Sequence, residues 1–357
     1  GSYIINDNGG NNQFIIETTD TNNISITAQS GQNTITSKTG IGRINTGDGN
    51  DYIELDKEAH SGISTGSGDD NVILKGILGS GWDTGRTKNL WLGDGNDTAH
   101  LFGGTQNVYN NRNHVWSNGV YGDNGNDTIL LAGNADYSFA SGGNGDDRID
   151  ASNARNAFEL SGNAGNDVVI GSPENNTING GSGLDQLFGK AGNDAINGGD
   201  ENDQLYGEQG DDRLAGNSGN DLLDGGTGND TLQGGADSDT FIASAGNDVF
   251  YGYTTTSKDS ASSQDTLKLS GSSHDYTISR ASDNKHSFVY YLKDIRSGGG
   301  DGLDTLYGIS TLQFTDTSFS TEDFFNLKEK GNQSDETIVG TADNDLLDGK
   351  GGNDSID

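Results

Sequence analysis

The stretch GGTGNDTLQ, at residues 225–233, returns with small changes throughout the centre of the sequence. It fits the nine-residue unit Gly-Gly-x-Gly-x-Asp-x-apolar-x, which tiles residues 162–251 ten times without a gap. The eighth position is apolar in every copy, and the sixth position is Asp in nine of the ten. A pattern of this regularity predicts a repeat architecture in which each copy is one small structural unit.

Each unit divides into a turn and a short strand. The first six residues predict the turn, because Gly serves where the backbone takes a positive φ or where another chain segment passes closely. The last three residues predict a strand whose middle side chain points inward. Two units would form one coil, and stacked coils would pair their strands in parallel at about 4.8 Å. The predicted fold class is therefore all-β, a parallel solenoid with a thin apolar core.

Composition limits the partners that the chain can have. The sequence has 54 acidic and 20 basic residues, a net charge of −34, and only 29% hydrophobic residues. Such a chain would ordinarily be disordered, but the regular repeat and bound cations would favour folding. The excess of negative charge disfavours nucleic acid and anionic lipid as partners. No apolar run is long enough for a transmembrane segment, and without Cys no disulfide or thiolate metal site can form.

The sixth-position acids predict a cation. Because alternate units share one edge of the solenoid, Asp194, Asp212, Asp230 and Asp248 should form one column, with a second column opposite. Carboxylates at strand spacing repel each other by about 1 kcal/mol per pair even in water. A divalent cation held by carboxylates and glycine-rich backbone carbonyls would remove this repulsion, and such an oxygen-only shell favours Ca²⁺ over Mg²⁺ or Zn²⁺.

The unit resembles the RTX (repeats-in-toxin) repeat of secreted bacterial proteins, a known calcium-binding pattern. The resemblance implies a right-handed parallel β-roll with several Ca²⁺ ions in its turns. It also implies type I secretion of an unfolded chain that folds outside the cell or at the bacterial surface. Proteases, lipases, cytolysins, adhesins, S-layer proteins and alginate epimerases share the repeat, so the resemblance leaves the parent protein open.

Upstream of the ten tiled units the acids recur at a longer interval. Their spacing of about one full coil predicts calcium on one edge only before residue 170 or so, and on two edges after it. The unit GSPENNTIN, at 171–179, has Asn176 in the sixth position, so its site should be weak or absent. The predicted calcium ligands are Asp51, Asp70, Asp97, Asp127, Asp147, Asp167, Asp185, Asp194, Asp203, Asp212, Asp221, Asp230, Asp239, Asp248, Asp345 and Asp354.

Four segments follow from the pattern. We expect residues 1–45 to form calcium-free solenoid coils or a cap, and 46–251 to form the β-roll. Residues 252–330 break the repeat and resemble the β-rich spacer that ends RTX blocks, with antiparallel strands that cap the roll. Residues 331–357 begin a second RTX block. We expect the chain to belong to a larger secreted protein, the rest of which would be its covalent partner.

Two insertions, at 75–93 and 100–122, leave an alternative function open. One interpretation is a face that binds polysaccharide or cell-surface glycan, in an adhesin, an S-layer protein or an alginate-modifying enzyme. The other is that the aromatic rings only pack on the flank of the roll. The candidate glycan-binding residues are Trp82, Trp91, Trp116, Tyr109 and Arg112.

We predict that the chain itself is not an enzyme. No His pair has metal-ligand spacing, and no G-x-S-x-G nucleophile motif occurs. The predicted function is a calcium-binding module that folds on extracellular calcium and stiffens or supports its parent protein.

Overall fold

The computed structural model describes residues 3–7, 9–17, 24–57, 59–76, 89–103, 108–109, 115–116, 119–253, 264–281, 289–297, 300–330, 337–338 and 355–356. The chain divides into two compact units, Gly1–Asp200 and Glu201–Asp357. The strands of the first unit are β1 (Tyr3–Asp7), β2 (Gln13–Ile16), β3 (Ile24–Ala28), β4 (Thr34–Ser37), β5 (Arg43–Asn45), β6 (Tyr52–Leu55), β7 (Ile63–Ser67), β8 (Asn71–Leu74), β9 (Leu90–Asp94), β10 (Thr98–Leu101), β11 (Val108–Tyr109), β12 (Val115–Trp116), β13 (Gly119–Asn124), β14 (Thr128–Asn144), β15 (Arg148–Ala164), β16 (Val168–Ile170), β17 (Thr177–Ser182), β18 (Gln186–Ala191) and β19 (Ala195–Asp200).

Strands of the first unit form two parallel ladders, one on each face of a solenoid. One ladder runs through β1, β3, β5, β7, β9 and β13, then the second halves of β14 and β15, and then β17 and β19. The other runs through β2, β4, β6, β8 and β10, the first halves of β14 and β15, and then β16 and β18. Short β11 and β12 pair separately and antiparallel.

The core of the first unit is built from the inward-facing apolar side chains of its two ladders. Along one ladder each strand contributes an inward residue such as Ile26, Leu90 or Leu160, and the facing ladder contributes Ile53 and Ile149 in the same way. All of these are fully buried. Several strands bury more than one side chain, because alternate residues of a strand face inward. β3 has three buried residues in alternation, and β6 has two.

The second unit begins with the same architecture. Its strands are β20 (Gln204–Gln209), β21 (Arg213–Ser218), β22 (Leu222–Asp224), β23 (Thr231–Ala236), β24 (Thr240–Ile242), β25 (Val249–Tyr251), β26 (Thr266–Lys268), β27 (Tyr276–Ala281), β28 (Val289–Asp294), β29 (Leu303–Tyr307), β30 (Thr311–Gln313), β31 (Ser318–Ser320), β32 (Thr337–Ile338) and β33 (Ser355–Ile356), with one α-helix, α1 (Thr321–Lys330), and a 3₁₀ turn at Ser273–Asp275.

The second unit changes from parallel to antiparallel pairing at its end. β20, β22, β24, β26 and β30 pair in parallel, as do β21, β23, β25 and β29. β28 and β27 then add antiparallel to β29, and β31 adds antiparallel to β30. The prediction of an all-β parallel roll followed by an antiparallel segment is confirmed. The region 252–330 nevertheless contributes three strands, β26, β29 and β30, to the parallel ladders themselves.

Helix α1 follows β31 and packs on the aromatic side chains of this closing segment. Ser320 precedes the helix, and its hydroxyl accepts the backbone N–H of Asp323 at 3.0 Å, which caps the first turn. Phe324 is fully buried, and its ring centroid lies 4.8 Å from that of Phe314 and 5.7 Å from that of Phe319. This aromatic cluster gives the antiparallel segment a small core of its own.

Candidate metal sites

The sixth-position acids of the first unit lie in one buried column. The backbone N–H of Asp51 donates to Oδ1 of Asp70 at 2.7 Å, and Asp70 donates in the same way to Asp97. The same hydrogen bond then repeats from each Asp to the Asp of the next coil, with distances of 2.7–2.8 Å. The column comprises Asp51, Asp70, Asp97, Asp127, Asp147, Asp167 and Asp185, and each is at most 3% exposed.

Two columns run through the second unit. In one, Asp203 donates to Oδ1 of Asp221 at 2.8 Å, and Asp221 donates to Asp239 at 2.9 Å. In the other, Asp212 and Asp230 pair at 2.8 Å, and Asp230 donates to Asp248 at 2.9 Å. We call two sixth-position residues in successive coils a rung.

One carboxylate oxygen in each of nine column residues has no hydrogen-bond partner within the described residues. Oδ1 of each accepts the backbone N–H of the preceding coil, whereas Oδ2 is buried and unsatisfied. The nine are Asp51, Asp70, Asp97, Asp127, Asp147, Asp167, Asp221, Asp230 and Asp239. A buried polar atom without a partner costs roughly 1–3 kcal/mol, and more when charged. A row of such oxygens therefore fits a hard cation that binds oxygen.

The first-position glycine of a unit makes room for the carboxylate of the same unit. A methyl group on Gly142 would lie 2.1 Å from Oδ2 of Asp147, and one on Gly225 would lie 2.3 Å from Oδ2 of Asp230. Because these distances are far below van der Waals contact, a side chain added at Gly142 or Gly225 would displace the oxygen that a cation would need. Glycine is thus the usual first-position residue beside a column Asp, although Thr46, Thr65, Leu92 and Ala243 occupy that position in four units.

Backbone carbonyls supply further oxygens next to the column. A methyl group on Gly122 would lie 2.2 Å from Oδ2 of Asp127 and also 2.2 Å from the carbonyl oxygen of Gly142 in the following coil, so this carbonyl lies beside the carboxylate. No group of three or more His, Asp or Glu side chains that could hold a metal occurs among the described residues. An ion at a rung would therefore take its remaining ligands from such carbonyls.

Burial changes the acidity of the column. It raises the pKa of Asp70, Asp97, Asp147 and Asp167 from an ordinary value of 3.8 to about 7, because desolvation disfavours the charged form. Neighbouring carboxylates in the column contribute in the same direction. Burial likewise raises the pKa of Asp239 to about 8. Without a counter-ion these groups resist ionisation at neutral pH.

The structure places the predicted residues as follows. The sixth-position acids between 46 and 160 form a single column, while the second column of the first unit contains Asn176 and Asp194. The N–H₂ group of Asn176 donates to the carbonyl of Ala157, so a neutral amide stands where the other units have a carboxylate. Asp345, Asp354, Trp82 and Arg112 lie outside the described residues, as do the side chains of Tyr109 and Trp116.

Two column residues were missed by the sequence analysis. Asp239 donates its N–H to Oδ1 of Asp265 at 3.0 Å, and Asp248 donates to Asp304 at 3.0 Å. Asp304 lies in GGDGLDTLY, at 299–307, which fits the repeat unit at every position. That match would have identified Asp304 as a sixth-position acid, but the uninterrupted series of units ends at residue 251. Asp265 retains only the last four positions of the unit, so its sequence signal is weak.

A second hydrogen-bond ladder accompanies the acids on the outside of the turns. Fifth-position side chains accept the backbone N–H of the fifth position in the following coil. Oδ1 of Asn96 accepts from Asn126 at 2.8 Å, and Oδ1 of Asn126 accepts from Asp146 at 2.9 Å. The sequence analysis did not foresee this ladder, although Asn and Asp recur in the fifth position.

The sequence matches the family model for the RTX calcium-binding nonapeptide repeat (4 copies) at residues 27–57, 161–196, 188–223, 224–254 and 330–357. The chain carries RTX calcium-binding nonapeptide repeats. The comparison with curated proteins gives no match. Asp70, Asp97, Asp127 and Asp147 lie outside the matched ranges, yet they share the hydrogen bonds and burial of the RTX rungs within them. In the described part of the chain, no helix has the length and apolar character needed to cross a membrane.

Proposed function

We propose that the chain is a calcium-responsive RTX β-roll. It would remain unfolded at low cytosolic calcium during type I secretion and fold outside the cell or at its surface. There it would stiffen or support the larger secreted protein, without catalysis of its own. The sixth-position carboxylates and nearby turn carbonyls would bind the ions, and the charge of calcium would neutralise the negative charge of the buried carboxylates.

The observation that carries this proposal is the row of nine buried carboxylate oxygens without hydrogen-bond partners. A chain with a net charge of −34 cannot bury such a row without a large electrostatic cost. Because a ligand that binds only the folded state adds its binding free energy to stability, calcium would make folding conditional. Export through a narrow secretion channel requires an unfolded chain, so a chain that folds only when calcium is bound would remain competent for export.

The test compares two neighbouring aspartates. Asp147 is buried in the column, whereas Asp146 is exposed and its Oδ1 accepts the N–H of Asn166 at 2.8 Å. Either Asp→Asn change removes one charge, and Asn can keep the acceptor role of Asp146. We expect Asp147→Asn to lose bound calcium and to raise the calcium midpoint of folding by about tenfold, equivalent to about 1.4 kcal/mol. Asp146→Asn should behave like the wild type.

Calcium titrations followed by far-UV circular dichroism and by bound calcium per chain give the readout. The wild type should be disordered without calcium and rich in β-structure at millimolar calcium. A wild type that is already fully β-structured without calcium, or that binds none, would contradict the proposed function.

A second candidate function rests on an aromatic row on the outside of the roll. The rings of Trp91 and Tyr121 lie 6.3 Å apart with an angle of 18° between their planes, and the Phe139 ring lies 5.3 Å from that of Tyr121. All three are partly exposed. Aromatic rings of this kind can stack on sugar rings. With Trp82, Trp116, Tyr109 and Arg112 of the insertions, they would form a glycan-binding face.

Calorimetric titration with alginate oligosaccharides and with neutral oligosaccharides tests this candidate. Trp91→Ala should abolish binding, while the control Leu184→Ala, which removes an exposed side chain in a turn, should retain it. Equal heats for wild type and Trp91→Ala would exclude the glycan-binding face.

A further inference from the structure

The acid column of the first unit does not begin with an acid. Asn33 occupies the column position one coil before Asp51 and is 1% exposed. Its backbone N–H donates to Oδ1 of Asp51 at 2.7 Å, as the N–H of each Asp does to the next. Asn33 is therefore a column member in burial and backbone bonding, and differs only in carrying no charge.

The side-chain nitrogen of Asn33 lies among three oxygens. Nδ2 is 2.7 Å from the carbonyl oxygen of Gly31, 3.0 Å from Oδ1 of Asp51 and 3.3 Å from the carbonyl oxygen of Thr46. Gly31 belongs to the turn of Asn33, while Thr46 and Asp51 belong to the turn of the next coil. Two turn carbonyls and one carboxylate form the type of oxygen set that a hard cation accepts. An amide N–H₂ satisfies it with two partially positive hydrogens instead.

Two other column asparagines of the first unit also donate their side-chain N–H₂ groups to nearby oxygens. One coil earlier, Nδ2 of Asn12 donates to the carbonyl of Gly10 at 2.7 Å and to Oδ1 of Asn33 at 2.9 Å. The second column of this unit also starts at an asparagine. Nδ2 of Asn176 donates to Oγ of Ser172 at 2.8 Å and to the carbonyl of Ala157 at 2.5 Å, while its backbone N–H donates to Asp194.

We infer that Asn33 takes the place of a calcium ion at the rung that it forms with Asp51. The Asn176 amide, which bonds to Ser172 of its own turn and to Ala157 of the preceding coil, takes the place of an ion at the start of the second column. This inference rests on the proposed calcium-binding function. The asparagine amides satisfy the oxygens at these positions without an ion, so each column has an ordered, calcium-independent beginning. The first acid of the longer column, Asp51, is held in position by Asn33 before any ion binds.

The test converts the asparagine into the acid that it replaces. Asn33→Asp removes the N–H₂ donors and places a carboxylate oxygen where the nitrogen lay, next to the three oxygens that surround it. We expect this variant to be less folded than the wild type without calcium, and to bind one additional ion per chain at saturating calcium. Asn50→Asp is the matched control. Asn50 is exposed in the fifth position, and its Oδ1 accepts the N–H of Asp69 at 3.1 Å, a role that a carboxylate can retain.

Bound calcium per full-length chain is measured by equilibrium dialysis with atomic absorption, and folding by circular dichroism. A folded Asn33→Asp chain with the wild-type number of ions overturns the inference. If that variant does not fold at saturating calcium, Asn176→Asp is measured instead, with the exposed neighbour variant Asn175→Asp as its control. An Asn176→Asp chain that binds no more calcium than the wild type overturns the inference. A wild type that binds no calcium would instead defeat the proposed function, so the two failures are distinguishable.

Discussion

At the scale of single residues, glycine and aspartate act as a pair within those turns that have glycine in the first position. The first-position glycine leaves the space that Oδ2 of its own aspartate occupies, as Gly142 does for Asp147. The second and fourth positions take positive φ, and there the repeat accepts a few other residues, such as Glu208 with a φ of 74°. Glycine therefore provides space in the first position of most units, whereas in the second it is preferred for conformation. Thr46, Thr65, Leu92 and Ala243 show that some turns accommodate a side chain in the first position.

Gly142→Ala tests this division of roles. The added methyl group would overlap Oδ2 of Asp147, and overpacking of this kind costs roughly 1–3 kcal/mol. We expect urea unfolding at saturating calcium to show that loss, together with a raised calcium midpoint. Gly300→Ala is the control, because a methyl group there would have no atom within 4 Å. Equal stability of the two variants would contradict the steric role of the first position.

At the scale of secondary-structure elements, two ladders of opposite direction hold successive turns together. The buried ladder uses sixth-position carboxylates that accept from the preceding coil, as Asp147 does from Asp127. The exposed ladder uses fifth-position side chains that accept from the following coil, as Asn126 does from Asp146. The exposed ladder needs no cation, since Asn serves as well as Asp. The fifth-position ladder thus keeps successive turns in register without requiring charged side chains, beside the charged column.

Leu306→Ala examines whether the unit at 299–307 is a true coil of the roll. Leu306 is fully buried in β29, which pairs in parallel with β25, so its truncation should cost about 2–5 kcal/mol. Leu303 lies in the same strand but is 46% exposed, and Leu303→Ala should change stability by less than about 0.5 kcal/mol. Thermal unfolding in calcium distinguishes the two. A small effect of Leu306→Ala would mean that β29 is not part of the cooperative core.

The regular part of this architecture could be predicted from the sequence, and the irregular part could not. The eighth-position residues between Val169 and Phe250 are all buried, because a fixed spacing of nine determines which side chain faces inward. Asp304 was not predicted as a column residue because it pairs with Asp248 across 56 residues, and spacing alone does not reveal a coil that resumes after an insertion. The role of Asn33 depends on three oxygens contributed by two turns, which only the folded geometry brings together.

At the scale of the whole molecule, the balance between charge and burial governs folding. The chain has a net charge of −34, and most of its column carboxyls are buried in the folded state. Two processes can remove the electrostatic free-energy cost of burying these charges, namely cation binding and protonation. Calcium requires ionised carboxylates, whereas protonation removes the ligands that calcium needs. The calcium-free and calcium-bound chains should therefore respond to pH in opposite ways.

The calcium-free chain should gain structure on acidification. Burial raises the pKa of Asp147 and Asp167 to about 7 in the folded state, against an ordinary value of 3.8. Because these folded-state values are raised, their contribution to stability is fully present below the unfolded pKa and is lost as pH rises through about 7. Circular dichroism in a calcium chelator should therefore show more β-structure at pH values near 5 than near 8. Over the same range the calcium midpoint should be lowest at the alkaline end. A calcium-free chain that is equally disordered at both pH values would show that buried carboxyl groups do not control its folding.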